Sequence, residues 1–297
     1  MTEKIVLAGA TGDLGTRIAR ALSKRGADVV ALGRIGTPAD KVKALESLGV
    51  KVRIVDMASV SDIAKACDGA ACVVSALSGL RDVIIDTQSV LLEAALAARI
   101  PRFIPSDFSM DFRTLPAGEN RNLDLRREFH QRLDVAPIAS TSIFNGPFGE
   151  VLTTYNVPLF DFKKKLVGYW EDPDWVIGFT AMNDVAAYTA AAALDQSTPR
   201  ALRIAGFRVT PRELAKFTNE VLRTPFQLVR LGSLEDLRAQ NKSERAAHPK
   251  GENELYPRWQ VGQYLQTMFS MHYDEIDNDR YPDLKWTSFA DLVAQRC

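Results

Sequence analysis

Short apolar runs alternate with amphipathic segments along the first half of the chain. Leu14, Ile18 and Leu22 recur every fourth position, which places them on one helix face. A short continuous apolar run is instead typical of a strand that is buried on both sides. The pattern predicts strands over 4–8, 29–32, 50–55, 71–76, 102–104 and 137–143, and helices over 12–25, 40–48, 61–67, 83–99 and 123–133.

Strands that alternate with helices form βαβ units, and such units build a parallel sheet covered on both faces. We therefore expect an α/β protein with a Rossmann-type, doubly wound parallel sheet over residues 1–150. Beyond Gly146 the alternation loosens, with a helix over 181–194, a strand over 201–204 and a helix over 211–222. We expect 181–205 to return to the first domain, while 151–180 and 206–297 form a smaller α/β lobe that binds substrate.

Composition narrows the possible functions of this fold. The chain has 297 residues, and its 37 Lys and Arg balance 37 Asp and Glu, so nothing favours nucleic acid as a partner. Cys67, Cys72 and Cys297 form no metal-binding or disulfide pattern, which suits a reducing compartment. Neither a signal peptide nor a membrane-spanning run is visible, so we expect a cytoplasmic protein without bound metal, and a homodimer stays open.

A glycine-rich loop carries the strongest functional signal. The sequence GATGDLG (9–15) follows the first predicted strand and opens the first predicted helix. Glycines allow a tight turn, and the free N–H groups of a helix start attract a pyrophosphate. The alternative is a turn used only for close packing. The residues assigned to the cofactor here are Gly9, Thr11, Gly12, Asp13, Leu14 and Gly15.

The end of the second strand distinguishes the two nicotinamide cofactors. Sites that prefer NAD place a carboxylate about 20 residues beyond the loop, on the ribose 2′-hydroxyl. Here Arg34 stands 19 positions after Gly15, and no acid follows before Asp40. A guanidinium binds a phosphate through two parallel N–H bonds, so NADP(H) is favoured, with Lys41 as a second charge. The alternative is that Arg34 only points to solvent.

Two further segments are predicted to reach the cofactor. Asp56 follows the third strand and suits the adenine amino group, although a helix N-cap is an equal alternative. Ala76, Leu77 and Ser78 follow the fourth strand, where the carboxyl ends of parallel strands form the ligand crevice.

Several motifs together resemble the NmrA-like group of atypical short-chain dehydrogenase/reductases, near its isoflavone, pinoresinol and phenylcoumaran benzylic ether reductases. The motifs are the 9–15 loop, Arg34, VVSALSG (73–79), RFIPSDF (102–108) and SIFNGPF (142–148). Residues 105–109 read PSDFS where members carry PSEFG, and NDVA (183–186) resembles their DDVA. The resemblance covers roughly residues 4–230 and implies an NADP-binding lobe, a smaller substrate lobe and a cleft between them.

In the reductase members, hydride passes from the nicotinamide to a small aromatic substrate. A reductase of this kind is expected to have a closed apolar pocket beside the nicotinamide, with Phe144 at the cofactor and Phe108 and Phe148 at the substrate. The resemblance implies that a lysine on the helix after the fifth strand moves a proton. Here no lysine occurs between Lys65 and Lys163, and the family position falls near Asn122 or Asp124. The usual Tyr-x-x-x-Lys pair occurs only over 281–285, where it contains a proline and lies far from the expected helix.

Other residues are candidates for the missing proton donor. Ser106 and Asp107 follow the fifth strand, so the topology predicts them in the cleft. Asp107 acts as acid or base only if buried, and otherwise caps the following turn. His130 is a candidate because an imidazole can both accept and donate a proton, although a solvated histidine on a helix face is the stronger alternative.

Two functions remain open. The first is an NADPH-dependent reductase of a small, aromatic or quinone-like substrate. The second is a redox sensor that binds NADP(H) without catalysis, which the missing lysine favours. A sugar-nucleotide epimerase ranks lower, because that chemistry uses the absent Tyr-Lys pair.

Overall fold

A six-stranded parallel sheet forms the centre of the computed structural model, which describes residues 2–154, 157–272 and 275–294. Its strands are β1 (Lys4–Ala8), β2 (Asp28–Arg34), β3 (Lys51–Val55), β4 (Cys72–Ser75), β5 (Arg102–Ile104) and β6 (Ala139–Ser140), in the order β3-β2-β1-β4-β5-β6. The predicted doubly wound sheet is confirmed. Its order reverses between β1 and β4, so the ligand crevice is expected at the carboxyl ends of these two strands.

Helices cover both faces of the sheet. They are α1 (Asp13–Lys24), α2 (Ala39–Glu46), α3 (Val60–Cys67), α4 (Gln88–Ala97) and α5 (Arg121–Leu133). The helix predicted over 83–99 differs in form, because a π-helical turn, Asp82–Thr87, precedes α4. It also ends earlier, and Arg99 takes a left-handed conformation with φ of 56°.

The remaining elements form smaller units. The strands are β7 (Ser142–Phe144), β8 (Phe160–Asp161), β9 (Leu166–Trp170), β10 (Ile177–Phe179), β11 (Ala201–Arg203), β12 (Phe207–Val209) and β13 (Gln227–Gly232). The helices are α6 (Val151–Thr154), α7 (Met182–Leu194), α8 (Pro211–Leu222), α9 (Leu234–Ala247), α10 (Arg258–Met268) and α11 (Phe289–Ala294), with 3₁₀ turns over Pro249–Asn253 and Asn278–Arg280. Strand β9 pairs with β13 in parallel and with β8 antiparallel, while β10 and β12 pair antiparallel.

The predicted single strand over 137–143 is wrong, because the chain changes partner at Thr141. The Thr141 N–H donates to Phe103 on β5 at 3.1 Å, whereas the next N–H, of Ser142, donates to Arg200 at 2.9 Å. The Thr141 hydroxyl also accepts a bond from Arg102 at 2.9 Å, which fixes the break. From this point β7 pairs in parallel with β11.

Three large apolar clusters and a small fourth one hold these elements together. Helices α1 and α7 pack against one sheet face, and α3, α4 and α5 against the other. A third cluster joins β8, β9, β10 and β12 to α8, α10 and α11. Within the described residues, no helix combines the length and apolarity that a membrane crossing needs.

Candidate functional site

The glycine loop joins β1 to α1 at the crevice. Gly9 has a φ of 79°, and a β-carbon on it would lie 2.4 Å from the carbonyl oxygen of Ala76. The Gly12 N–H donates to the Gly9 carbonyl at 3.1 Å, and α1 then begins without a side-chain cap at Gly12. The N–H groups of the first turn are therefore available to an anion, which the helix dipole also favours.

Neighbouring side chains brace this helix start. The Thr16 hydroxyl donates to the Ala10 carbonyl at 2.8 Å. Arg17 donates to Asp13 at 2.7 Å, so the exposed carboxylate beside the helix start is paired. Arg17 also donates to Asn183 on α7, which links the loop to that helix. Pairing Asp13 reduces its repulsion of a phosphate.

Two basic side chains flank the loop. Arg34 is the last residue of β2 and is exposed. Lys41 on α2 reaches back, and its Nζ lies 3.5 Å from the Thr11 carbonyl oxygen. Arg34 thus lies at the carboxyl end of the strand that neighbours β1, and Lys41 reaches the loop that precedes α1.

Asp56 does not cap the helix that follows it, so that alternative is wrong. Ser59 is the N-cap of α3, and its hydroxyl accepts a bond from the Asp62 N–H at 3.3 Å. The Asp56 carboxylate accepts a bond from the Ala58 N–H at 2.9 Å. The role of Asp56 toward adenine stays a prediction.

The loops after β4 and β5 are tied to each other. Ala76 donates to the Ala8 carbonyl at 2.9 Å, which holds the segment 76–78 beside the glycine loop. The Ser106 hydroxyl donates to the Leu77 carbonyl at 2.6 Å, and the Ser106 N–H donates to Gln88 at 2.9 Å. Since Ser106 is buried and its hydroxyl already donates, this side chain positions the two loops. Ser78 beyond them is exposed.

Asp107 and His130 meet inside the domain. Asp107 is fully buried, and its Oδ2 lies 2.7 Å from His130 Nε2. The prediction of a solvated His130 is wrong, because its side chain is 6% exposed and packs edge-on against Phe112 at 5.0 Å. Asp107 does not cap its turn either, since its carboxylate is directed at the imidazole.

Charge around this pair keeps Asp107 ionised. Burial opposes ionisation, but His130, Ser142 and Arg126 outweigh it and hold the pKa of Asp107 below its ordinary value. Arg200 lies 3.2 Å from His130 Nδ1 and also donates to Ser142 at 2.6 Å. With Nδ1 facing a guanidinium, the imidazole donates its Nε2 proton to the carboxylate. An ionised, enclosed carboxylate is a poor proton donor.

The structure does not gather the three predicted phenylalanines around one pocket. Phe108 and Phe148 belong to the cluster between the sheet and the α1–α7 layer. Phe144 is fully buried in a separate cluster, where it packs edge-on against Phe112 at 5.5 Å. The Arg113 guanidinium carbon lies 5.0 Å from the Phe144 ring centre.

A small cavity of about 20 Å³ lies at Met110, in the segment that follows β5. Its lining residues are Met110, Val176, Gly178, Ala205, Arg208, Met271 and His272. Gly146 borders it, with a φ of 65°, and a β-carbon there would lie 2.3 Å from the Gly178 carbonyl oxygen. The chain after β7 thus approaches β10 too closely for any other residue.

Hydrogen bonds involve both Asn122, near the position expected for the family lysine, and Tyr281, of the Tyr-x-x-x-Lys match. Asn122 is buried, and its amide donates to the Leu255 carbonyl at 3.0 Å. Tyr281, of the chance Tyr-x-x-x-Lys match, donates to Asp195 at 2.9 Å, and burial raises its pKa to about 12. It packs edge-on against Tyr188 at 4.9 Å. In residues 2–154, 157–272 and 275–294, no three His, Cys, Asp or Glu side chains are grouped to hold a metal ion.

Comparisons with known proteins agree with this architecture. The model of the NmrA-like family matches residues 1–240. Pinoresinol reductase 1 from Arabidopsis thaliana is 27% identical over 312 residues, covering 98% of this chain and 97% of that protein.

Solved structures of similar fold cover the whole chain. AtPrR2 with NADP+ and (+)-pinoresinol is 23% identical, with a TM-score of 0.80 over 100% of this chain and 99% of the other. The binary complex of leucoanthocyanidin reductase with NADPH, from Vitis vinifera, is 21% identical, with a TM-score of 0.81 over 99% of each chain. At these identities the solved structures establish a likeness of fold.

Proposed function

Because the chain belongs to the NmrA-like family, as its motifs predicted, we propose that it is an NADP(H)-dependent oxidoreductase. It reduces a small, aromatic or quinone-like substrate. One observation carries this proposal: the start of α1, which follows the 9–15 loop, has no side-chain cap, Lys41 reaches that loop, and Arg34 ends the neighbouring strand β2. The name of pinoresinol reductase 1 and the NADP+ and NADPH in the solved relatives support the same cofactor and reaction.

Different residues of the chain bind the different parts of the cofactor. The first-turn N–H groups of α1 hold the pyrophosphate, and Arg34 holds the 2′-phosphate with Lys41 beside it. Asp56 faces the adenine, and the 76–78 segment lines the nicotinamide end, which the fully buried Phe144 ring supports from the core. The reduced cofactor supplies the hydride. Phe108 and Phe148 support the cofactor side from the core, and the acceptor binds where the small cavity at Met110 and Gly178 opens.

The enclosed pair of Asp107 and His130 positions the site rather than touching the reacting atoms. Ser106 is also a positioning residue, because its hydroxyl donates to the Leu77 carbonyl and so links the loops after β4 and β5. This assignment follows from burial, since Asp107 is fully buried and the His130 side chain is only 6% exposed.

The proposed organisation keeps the division made from the sequence. Residues 1–150 and 181–205 form the NADP(H)-binding domain, which the packing of α7 on α1 and the pairing of β11 with β7 support. Residues 151–180 and 206–297 form the substrate lobe around the third apolar cluster. The free, buried Cys67 and Cys72 suit a cytoplasmic location.

A hydride-transfer assay tests this function. Purified protein is mixed with NADPH and either menadione or 4-nitrobenzaldehyde, and absorbance at 340 nm is followed. With 4-nitrobenzaldehyde, NADPH carrying deuterium at the transferred position is then used, and we expect the label on the benzylic carbon of the alcohol product. Protein that binds NADPH but reduces neither acceptor contradicts the reductase proposal.

The alternative is a redox sensor that binds NADP(H) and regulates a partner. The observation that favours it is Asn122, which occupies the place expected for the family lysine. A sensor must bind NADPH and NADP+ with different affinities, because a ligand shifts a conformation only through differential binding. If NADPH and NADP+ bind with equal affinity and the protein turns over an acceptor, the redox-sensor function is excluded.

A further inference from the structure

One arginine on α5 has no acidic partner. The helix carries no lysine, and its guanidinium groups belong to Arg121, Arg126, Arg127 and Arg132. Arg127 pairs with Asp124, and Arg121 donates to main-chain carbonyls within 251–255. Arg126 differs from both, because no carboxylate in the described part of the chain forms an ion pair with it.

Two hydrogen bonds hold the Arg126 guanidinium at the end of β5. Its Nε donates to the Ser106 carbonyl at 3.0 Å, and its Nη1 donates at 2.9 Å to the carbonyl of Asn122, one turn earlier on the helix. Ser106 is the second residue after β5. The guanidinium therefore lies at the edge of the sheet where the carboxyl ends of the parallel strands form the ligand crevice.

Short contacts connect this guanidinium with the glycine loop. The Ser106 hydroxyl donates to the Leu77 carbonyl at 2.6 Å. Next to Leu77, the carbonyl oxygen of Ala76 would lie 2.4 Å from a β-carbon on Gly9. The loops after β1, β4 and β5 thus lie side by side, and Arg126 is bonded to the last of them.

The loop after β4 is fastened to α5 as well. Arg81 pairs with Glu128, which stands two positions after Arg126 on the helix. The segment from Leu77 to Arg81 is therefore held near Arg126 at both of its ends. This segment contains part of the 76–78 stretch that we assign to the nicotinamide end of the cofactor.

Part of the Arg126 guanidinium is open to solvent. A guanidinium has five N–H donors, and the two bonds above use Nε and one proton of Nη1. Within the described residues Nη2 has no hydrogen-bond partner, and it is not one of the enclosed polar atoms that lack one. The side chain is half-buried, so these N–H groups are available to a negatively charged atom of a ligand.

The acids around Arg126 are already engaged. Asp107 is fully buried and bonded to His130, and Arg126 acts on it only through space, where it helps to lower the pKa of that carboxyl. Glu128 is paired with Arg81. The positive charge of Arg126 is thus left for a ligand at the β5 end of the crevice.

We propose that Arg126 is a catalytic residue that stabilises the negative charge on the acceptor oxygen. This inference rests on the proposed function. In an aromatic aldehyde the carbonyl carbon accepts the hydride and the C=O π pair moves to oxygen. In a quinone the same two electrons leave an oxyanion on the ring. The Nη2 N–H groups of Arg126 donate to that oxyanion, and water then protonates it and leaves as hydroxide.

Substitutions at two neighbouring positions test the proposal. Arg126→Gln removes the charge, and Arg127→Gln is the matched control, because Arg127 also donates to main-chain carbonyls, those of Phe112 and Leu115. The acceptor is whichever of menadione and 4-nitrobenzaldehyde the wild type reduces faster. We expect Arg126→Gln to lower kcat by about 10²-fold and Arg127→Gln to leave it unchanged. Both variants should bind NADPH as the wild type does, which shows that they are folded.

The dependence of the rate on the acceptor separates charge stabilisation from folding. Rates are measured for para-substituted benzaldehydes if the wild type prefers the aldehyde, and for 2-substituted 1,4-naphthoquinones if it prefers menadione. Electron-withdrawing substituents disperse the charge on oxygen, so they matter more when the protein no longer stabilises it. We therefore expect a steeper substituent dependence in Arg126→Gln than in the wild type.

A free cation should replace the missing side chain. Guanidinium chloride below its denaturing range should restore part of the rate of Arg126→Ala, whereas sodium chloride at the same concentration should not. A slower Arg126→Gln with the steeper substituent dependence and this recovery support the proposal.

Two results overturn the proposal and leave the reductase function standing. One is an equal rate in wild type and Arg126→Gln. The other is an equal loss in Arg126→Gln and Arg127→Gln with the substituent dependence of the wild type. Wild-type protein that binds NADPH and reduces neither acceptor overturns both this proposal and the reductase function.

Discussion

A β-carbon on Gly15 would lie 2.1 Å from the carbonyl oxygen of Gly9. This close approach couples the first turn of α1 to the end of β1. It holds the uncapped N–H groups of the helix over the crevice between β1 and β4. The spacing of glycines in the loop is therefore a requirement of packing as well as of phosphate binding.

Substitution of Gly15 by alanine should destabilise the protein strongly. The added methyl group meets three backbone atoms within 2.9 Å, and none of them belongs to a side chain that can move away. We expect a loss of about 2 kcal/mol or more in the free energy of unfolding, measured in urea. Gly12→Ala is the control, because its β-carbon has only the Gly9 carbonyl at 3.4 Å nearby. Equal losses in both variants would contradict this reading of the loop.

The Asp107–His130 contact should make stability depend on acid pH. The folded-state pKa of Asp107 is lowered, so its stabilising contribution is complete above the unfolded value of about 4. It is lost as pH falls through the folded pKa. Asp107→Asn should cost about 1–3 kcal/mol at pH 7.

Unfolding experiments at several pH values check this sign. The gap in unfolding free energy between wild type and Asp107→Asn should narrow below about pH 4, as the wild-type carboxylate takes up a proton. A gap that is constant from pH 7 down to acid unfolding is incompatible with an ionised Asp107.

The buried thiols should resist modification in the folded protein. Burial raises the pKa of Cys67 to about 11 and that of Cys72 to about 12. The thiolate is the reactive species, and at pH 8 only about one Cys67 thiol in a thousand and about one Cys72 thiol in ten thousand is ionised. Cys297 lies outside the described residues, and the measurement uses Cys297→Ala. This variant should react with Ellman's reagent only after denaturation in guanidinium chloride, and then with two thiols. Rapid reaction of the native variant would show that these positions are accessible.

Local patterns predicted the sheet and the cofactor loop because both arise from neighbouring residues. Buried strands such as β1 read as apolar runs, and the 9–15 glycines follow directly in the chain. The split at Thr141 was not predictable in this way. It depends on a partner strand that begins at Ala201, far along the sequence.

The candidate site was harder to predict from the sequence, because it also depends on contacts between residues that lie far apart in the chain. His130 lies on a charged helix, which indicated exposure, but its face packs against Phe112 and Asp107. The hydrogen bond from the Arg121 N–H to the Gln263 side chain joins α5 to α10 across 142 positions of the sequence. No spacing rule connects such residues before the fold brings α10 onto α5.

Calorimetric titration of the purified protein with NADPH, NADP+, NADH and NAD+ tests the central claim most directly. It is repeated with Arg34→Ala and with Arg20→Ala, which removes an exposed charge from the middle of α1 instead. We predict that NADPH and NADP+ bind well, that NADH and NAD+ bind weakly, and that only Arg34→Ala lowers affinity for the phosphorylated pair, by about tenfold to a hundredfold. Failure of all four nucleotides to bind, or equal affinity for NADPH and NADH in the wild type, contradicts the account.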